Sequence, residues 1–488
     1  MTDHGSGGER PGPGGERPGH IPAVEDRWLL VAVAGALSFV AMLDMNIVNV
    51  ALADISRGLQ VSAATAQWAV RGYQLPVVAL LLPVGRWLDG TGLRVALLTA
   101  TGGFALGSAA AAVSPWAAWL IAARVAQGAF GAVLFVLMPV LAIRSVRPGM
   151  RGRAMSVPAT LGPLGAVTGP AVGGLLLDHL GWRAVFLVKI PFCVLALVVA
   201  WRAMPRDGGL RRPDRRSLAD ASLVGTGVAV LLLALTLASD APSWLLLAIA
   251  AVPPLWWWLR GPGGRPVTGA LRASGLFRAH GAVLSLAAGF AAMHYVVALH
   301  LQRDNGVSAT TTGLTVLAFP LGMALAGPVG GRLADLSHSR HRSSGESSVG
   351  ARAVAVAGAA LTAAGLLLLV PLGDGWSPPD VAWRLALAGI GLGLNGGPTQ
   401  ALVMGAAPPG RAATVGSSVQ LARGLGFTLG PALATAAWAL AGPDGGVRAG
   451  LALAATAACL AVPLLALPAR TPAPLSEKTT DAASAAPR

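Results

Sequence analysis

The sequence predicts an all-α polytopic membrane protein, and three observations carry that prediction. Hydrophobic residues make up 54% of the 488-residue chain and charged residues only 12%, about half the usual share of charge in a globular protein. The charges are segregated and leave apolar runs of roughly 18 to 25 residues, the length that an α-helix needs to cross about 30 Å of hydrocarbon. The 64 glycines and 35 prolines would favour disorder in water but are tolerated in membrane helices, where neighbouring helices satisfy the freed backbone groups.

Fourteen apolar runs follow one another along the chain, and each is predicted to form one membrane span. Residues 1–27 lack the apolar core of a signal peptide. Because they are rich in Gly, Pro and Arg, we expect them to form a disordered cytoplasmic tail. A six-helix bundle (28–203), a linker with two additional helices (204–279), a second six-helix bundle (280–468) and a disordered tail (469–488) are predicted to follow. The predicted spans are 28–53, 66–88, 95–113, 117–143, 153–177, 183–203, 220–239, 243–260, 280–302, 311–335, 351–371, 381–406, 412–440 and 448–468.

The basic residues predict the orientation of these spans. If the N-terminus is cytoplasmic, 27 of the 36 basic residues fall on the cytoplasmic side, five on the opposite side and four within spans. Since cytoplasmic loops carry an excess of Lys and Arg, both termini are predicted to be inside. The same distribution argues against a nucleic-acid partner despite the net charge of +15.

Two short motifs recur at corresponding places in the first six and the last six spans. One ends span 2 and returns at the end of span 10, and the other lies in span 5 and returns in span 13. Parallel repeats of this kind are typical of secondary transporters, whose two bundles move about a site near the midplane. The paired motifs are Gly85-Arg86-Trp87-Leu88-Asp89 with Gly331-Arg332-Leu333-Ala334-Asp335, and Gly165-x-x-x-Gly169-Pro170 with Gly426-x-x-x-Gly430-Pro431.

Four motifs resemble those of the major facilitator superfamily. The loop after span 2, Gly85-x-x-x-Asp89-x-x-Gly92-x-Arg94, resembles its cytoplasmic loop signature, and Gly165-x-x-x-Gly169-Pro170-x-x-Gly173-Gly174 resembles the signature of its antiporters. Span 1 contains a stretch similar to that of the fourteen-span drug:proton antiporters, Leu43-Asp44-Met45-Asn46-Ile47-Val48-Asn49-Val50-Ala51-Leu52. Arg124-Val125-Ala126-Gln127-Gly128 in span 4 resembles the motif that this family associates with proton coupling.

The resemblance implies a fold of two six-helix bundles with two additional central helices, in a bacterial cytoplasmic membrane. It implies a monomer among membrane lipids that expels small amphipathic or cationic organic molecules in exchange for protons, without a cofactor. Three charges within spans, Arg71, Lys189 and Arg423, have no assigned role, and Lys189 stands where the family pattern has an Asn.

Asp44 is the only carboxylate well inside a predicted span, about sixteen residues or roughly 24 Å from the inner end of span 1. A charge at that depth is expensive and is typical of ion pathways and proton relays. We expect Asp44 to be protonated and ion-paired in turn, with Arg124 as its partner. The alternative is a structural Asp44 that is hydrogen-bonded to Asn46, Asn49 or the backbone.

Asp89 is the expected centre of a gating contact. The resemblance implies that Asp89, supported by Gly85, Gly92 and Arg94, pairs with a neighbouring helix end in the outward-facing state. We expect Arg332 and Asp335 to form the corresponding contact in the second half. The alternative for each is a solvated turn.

Gly165, Gly169 and Gly173 recur at every fourth residue and therefore form one smooth stripe on a helix, beside Pro170 and Gly174. We expect another helix to pack closely on this stripe, and the seam, bent at Pro170, to act as a rocking interface and a seal against ion leak. Ordinary small-residue packing is the alternative.

Substrate contacts are expected from Asn46, Tyr73, Gln127 and His294. His294 and His300 are six residues apart and do not share a helix face, so no metal site is predicted. A membrane enzyme acting on lipids, a channel, and a transporter running by uniport or import are the alternative functions. The longest inner loops hold chiefly Arg, Gly and Ser, which disfavours the enzyme, and no phosphate-binding loop is present for ATP-driven transport.

Overall fold

The computed structural model describes residues 26–209, 215–237, 242–273, 276–340, 347–373 and 375–467, and all regular structure among them is helical. The two predicted disordered tails fall almost entirely outside these residues. The helices are α1 (Trp28–Val50), α2 (Leu52–Leu59), α3 (Ala63–Ala66), α4 (Trp68–Leu88), α5 (Leu93–Ala112), α6 (Ala117–Arg144), α7 (Arg151–Leu180), α8 (Ala184–Leu187), α9 (Ile190–Ala203), α10 (Arg215–Leu237), α11 (Leu247–Arg260), α12 (Gly264–Ala273), α13 (Phe277–Leu299), α14 (Ala309–Arg340), α15 (Ser347–Leu367), α16 (Pro378–Gly405) and α17 (Ala412–Ala466).

Each predicted span coincides with helical structure. Ten helical segments of the described residues are long and apolar enough to cross a membrane. Predicted spans 2, 7, 8 and 12 correspond to α4, α10, α11 and α16, which are not among those ten, so the count of fourteen stays a prediction. Predicted spans 13 and 14 are the two parts of α17, which separate at Gly442, where φ is 72°.

The end of span 1 and the start of span 8 differ from the prediction. The run 28–53 is interrupted after Val50, and the amphipathic α2 then turns away with Asp54 and Arg57 on its surface. Span 8 begins as a 3₁₀ segment, Pro242–Leu246, before α11 continues it. Hydropathy alone does not detect either change because the apolar run continues across it: Leu52 and Ala53 follow Val50, and Leu246 and Leu247 join the two segments of span 8.

The helix packing repeats in the two halves of the chain. Helix α1 packs on α7 and α4 packs on α6, as α13 packs on α17 and α14 packs on α16. Each half has its own apolar core. The core of the first set of helices is built mainly from α1, α4, α5, α6 and α9, and that of the second set from α13 to α17. The linker helix α10 packs against α4 and α17, and α11 packs on α10. The ion pair Arg86–Asp220 joins α10 to the end of α4.

One end of the helix bundle carries the starts of α1, α5, α7 and α17 and the ends of α4, α6, α9 and α14; we call it the basic end. Contacts such as Arg27 N to Ser145 O, at 2.8 Å, join these helix ends directly. The basic end is the side that the arginine distribution predicts to be cytoplasmic.

Candidate functional site

A cluster of charges lies within the first set of helices, completely shielded from solvent. The Asp44 side chain on α1 accepts from Arg124 Nη1 on α6 at 2.8 Å through Oδ2, and from Lys189 Nζ through Oδ1. All three side chains are 0% exposed. The predicted contact between Asp44 and Arg124 is therefore present, and Lys189 is a second cation on the same carboxylate.

Arg124 is held by four groups besides Asp44. Its Nε donates to Ala69 O at 2.7 Å and its Nη1 donates to Gln127 Oε1 at 2.7 Å. The guanidinium lies over the ring of Tyr73, 4.3 Å from its centroid, and 5.7 Å from that of Phe186. These cation–π and hydrogen-bond contacts fix the cation in an apolar interior, where it would otherwise be strongly destabilising.

The alternative partners of Asp44 lie elsewhere. Asn46 Nδ2 donates to Met42 O at 2.9 Å and Asn49 Nδ2 donates to Met45 O at 3.4 Å. Both amides thus bond to their own helix backbone one turn earlier, and Asp44 is left with the two cations.

A cavity of about 950 Å³ lies between the two sets of helices. Its wall is mostly apolar and is contributed by α1, α4, α6 and α7 on one side and α13, α14, α16 and α17 on the other. It extends to Val50 and Thr310, which lie at the ends of α1 and α14 away from the basic end. Among the predicted substrate contacts, Asn46 and His294 line this cavity, whereas Tyr73 and Gln127 belong to the buried cluster.

At the basic end, Asp89 binds the start of α17. Its Oδ1 accepts from Ala413 N at 2.9 Å, and its Oδ2 contacts the Thr414 hydroxyl. Backbone N–H groups at a helix start lack partners within the helix and favour a negative charge. Gly85 makes this approach possible, because a Cβ there would lie 2.5 Å from Ser417 Cβ.

Asp335 makes the corresponding contact with the start of α7. Its Oδ1 accepts from Gly152 N at 2.8 Å and its Oδ2 accepts from Arg153 N at 3.0 Å. Gly331, one turn before it, approaches Gly152 so closely that a Cβ would lie 2.7 Å from that residue's carbonyl oxygen. The two halves therefore close the basic end by equivalent contacts, each joining one half of the chain to the other.

The remaining motif residues have different places. Gly92 and Arg94 hold the start of α5 to the segment after α9, where Asp207 accepts from Leu93 N at 2.8 Å and from Arg94 N at 3.0 Å. The Arg94 guanidinium donates to Trp201 O at 2.6 Å. Arg332 is exposed, with no ion pair to any residue in the described part of the chain.

The glycine stripe of α7 packs against α1. A Cβ at Gly169 would lie 3.1 Å from Ile47 N, one at Gly173 would lie 3.0 Å from Ile47 Cγ1, and Gly165 lies against the Phe39 backbone. The stripe therefore packs closely against a helix of its own half, and its role as a rocking interface stays a prediction. A Cβ at Gly174 would meet no atom of the described residues within 4 Å, and Pro170 lines the cavity.

Comparison with known proteins decides the family. The model of the Major Facilitator Superfamily matches residues 34–259 and 281–487, most of the chain. The chain belongs to the major facilitator superfamily. This major facilitator protein is a multi-pass membrane transporter and not an enzyme, as the sequence motifs predicted.

Similar bacterial proteins include a multidrug resistance protein and a probable actinorhodin transporter. Multidrug resistance protein Stp of Mycobacterium tuberculosis is 30% identical over 84% of this chain and 76% of its own length. The probable actinorhodin transporter of Streptomyces coelicolor is 28% identical over 92% of this chain and 80% of its own length. In structure, the human organic anion transporter MFSD10 aligns with a TM-score of 0.63 and 17% identity, over 91% of this chain and all of its own, which supports the fold.

Two functional candidates in this major facilitator protein were visible in the sequence only as unexplained charges. Lys189 was marked by its position inside an apolar run, but its partner is 145 positions away in the chain. Arg423 lies in the cavity wall, on the face of α17 that also presents Gln420 and Phe427. A charged residue in a span signals a site, but only the packing of the helices identifies what it faces.

Proposed function

We propose that the protein is a proton-coupled efflux transporter for small amphipathic organic molecules, working by alternating access. The observation that carries the proposal is the buried Asp44–Arg124–Lys189 cluster, built partly on α1, the helix that also lines the central cavity through Met45 and Asn46. The similarity to proteins named for multidrug resistance and multidrug efflux supports the direction of transport.

The basic end is the cytoplasmic end in this proposal, and the structure corresponds to the outward-facing state. The contacts of Asp89 and Asp335 close the basic end, whereas the cavity extends toward the opposite end. Breaking both contacts would separate the starts of α7 and α17 from the other half and open the cavity to the cytoplasm. In this proposal the protein is a monomer with both termini in the cytoplasm. Its two six-helix bundles, residues 28–203 and 280–468, move as rigid bodies.

Proton coupling follows from the charge balance of the cluster. One carboxylate faces two cations, so a proton on Asp44 would leave both cations without a counter-charge in an apolar interior. A single unpaired charge in a membrane costs at least about 2.5–3.5 kcal/mol. Protonation of Asp44 must therefore accompany a movement that gives Arg124 and Lys189 water or other partners.

Helix α1 can carry that movement to the substrate. Asp44 precedes Met45 and Asn46, which line the cavity, so a displacement of α1 changes the charge cluster and the cavity wall together. The glycine stripe of α7 provides a smooth surface along which α1 can shift with few clashes.

Drug accumulation in a pump-deficient bacterial host tests this function. Aromatic compounds of negative, zero and positive charge are compared with and without a proton uncoupler, for the unchanged protein, Asp44→Asn and the matched control Asp178→Asn. Asp178 is an exposed carboxylate near the end of α7. We expect uncoupler-sensitive exclusion of at least one compound, lost in Asp44→Asn and retained in Asp178→Asn.

Two results would contradict the proposal. Exclusion that is insensitive to both the uncoupler and Asp44→Asn would remove proton coupling through this cluster. Increased accumulation of a compound in cells that express the protein would indicate uniport or import.

A further inference from the structure

The cavity wall carries one permanent charge among the described residues, and it is positive. Arg423 on α17 lines the cavity, and its Nη2 donates to Gln400 Oε1 at 3.2 Å. None of the described residues that line the cavity is an Asp or a Glu, and no residue in the described part of the chain forms an ion pair with Arg423. The other titratable side chain of the described wall is His294.

An arginine in this position lacks a counter-charge within the described part of the chain. Its guanidinium remains protonated at all physiological pH values and offers five N–H donors in a planar fork. A cation removed from bulk water is stabilised chiefly by a paired anion, and carboxylates fit the fork with two parallel hydrogen bonds. A negatively charged ligand would supply both the missing charge and the missing acceptors.

Three further polar side chains of the wall have a buried atom without a hydrogen-bond partner among the described residues: Thr399 Oγ1, Gln420 Oε1 and His294 Nδ1. Gln420 lies one turn before Arg423 on α17, and its Nε2 reaches Phe135 O at 3.4 Å, which leaves its oxygen available. Buried polar groups are normally hydrogen-bonded, so these atoms are suited to hydroxyl or carbonyl groups of a ligand.

Aromatic rings stand beside this polar region. The Phe290 ring lies 4.8 Å from His294 and 5.9 Å from Phe427, measured between ring centroids, and all three residues line the cavity. Phe427 is one turn beyond Arg423 on the same helix face. An aromatic ligand can therefore stack on Phe290 or Phe427 while its acidic group reaches Arg423.

Asp44 does not provide a counter-charge for a cationic substrate. Both of its carboxylate oxygens are engaged, by Arg124 and by Lys189, and its side chain is 0% exposed. A cation entering the cavity would meet Arg423 and no available carboxylate of the described wall.

We propose that the cavity selects amphipathic aromatic organic anions, with an acidic group on Arg423 and the ring system against Phe290 and Phe427. This inference rests on the proposed efflux function and names its substrate class. It replaces the cations of the sequence-based expectation, since the described wall contains no carboxylate to pair with them.

Binding of three matched probes to the purified, detergent-solubilised protein tests the charge preference. The probes are 9-anthracenecarboxylate, 9-anthracenecarboxamide and 9-anthracenemethylammonium, which share one ring system and carry charges of −1, 0 and +1. Anthracene fluorescence reports binding without any need for transport. We expect the carboxylate to bind about tenfold or more tightly than the amide, as a hydrogen-bonded charge pair predicts, and the ammonium to bind weakest.

Arg423→Gln should remove the preference for the carboxylate over the amide, whereas Arg423→Lys should keep part of it. If Arg423→Gln binds the neutral amide with the same affinity as the unchanged protein, the variant is folded. Equal or tighter binding of the ammonium probe, a carboxylate preference that survives Arg423→Gln, or no carboxylate binding would each overturn the inference. Uncoupler-sensitive exclusion of cations alone would leave the efflux function standing and remove the anion preference.

Discussion

Replacing Asp335 by Asn should open the basic end. Each of its carboxylate oxygens accepts from a different backbone N–H, Gly152 N at 2.8 Å and Arg153 N at 3.0 Å. An Asn offers one acceptor oxygen, and its NH₂ group would face the other N–H donor. The substitution preserves size and polarity, so its effect reports the contact and not a packing defect.

The size of the effect follows from those two bonds. A hydrogen bond to a charged group contributes roughly 1.5–3 kcal/mol, and a negative charge at a helix start adds about 0.3–1 kcal/mol. Losing one bond and the charge should therefore destabilise the closed state by roughly 2–4 kcal/mol. That changes the ratio of closed to open basic ends by about 30-fold or more.

A cysteine in place of Ser156 measures this opening. Ser156 is buried on α7, and a Cβ at Gly397 of α16 would lie 3.2 Å from its Cβ, so it reports separation of α7 from α16. Cys193 and Cys459 are first replaced by Ala, so that Ser156→Cys is the only thiol. The rate at which a hydrophilic maleimide labels it then follows the fraction of molecules with an open basic end. We expect Asp335→Asn to raise the rate at least about tenfold.

The matched control is Asp178→Asn, which removes an exposed carboxylate near the other end of α7. It should leave the labelling rate of Ser156→Cys unchanged. A labelling rate for Asp335→Asn within about twofold of the control would refute the gating role of the Asp335 contact.

Three further changes have distinct expected outcomes. Asp89→Asn should raise the same labelling rate less than Asp335→Asn, because an Asn can accept from Ala413 N and donate to Thr414 Oγ1. Gly169→Leu should lower efflux and the melting temperature, since overpacking costs about 1–3 kcal/mol, whereas the control Gly174→Leu should behave like the unchanged protein; normal efflux by Gly169→Leu would make the stripe dispensable. Lys189→Met should reduce uncoupler-sensitive efflux and lower the unfolding free energy by roughly 1–3 kcal/mol, because it leaves one oxygen of a buried carboxylate without its partner; unchanged values of both would make Lys189 a bystander.

The sequence predicted those features that depend on hydropathy or on motifs. Apolar runs located the helices because a bilayer requires a fixed length of apolar chain. The motif resemblance also predicted that Asp44 pairs with Arg124 and that Asp89 pairs with a neighbouring helix end.

Features that depend on which helix faces which were not predictable in this way. The stripe of Gly165, Gly169 and Gly173 was predicted to pack closely against another helix, but the sequence did not identify that helix as α1. Helical periodicity gives the face of a residue and not the identity of the neighbour. Tyr73 was expected to bind substrate, whereas its ring lies under the Arg124 guanidinium.

Lys189 and Arg423 illustrate the same limit. Both are basic residues within apolar runs, and nothing in the sequence separates them. The structure gives Lys189 a buried carboxylate partner and gives Arg423 an open cavity. Only the three-dimensional arrangement separates a buried, ion-paired charge from one that lines the cavity.

In the proposed mechanism, Asp44 exchanges a proton for substrate. Proton release from the purified protein in weakly buffered detergent solution measures this directly, after addition of whichever anthracene probe binds tightest. We expect the unchanged protein and Asp178→Asn to release protons on probe binding, and Asp44→Asn to release none at saturating probe. Release of the same size from Asp44→Asn would contradict it, because the proton would then come from another group.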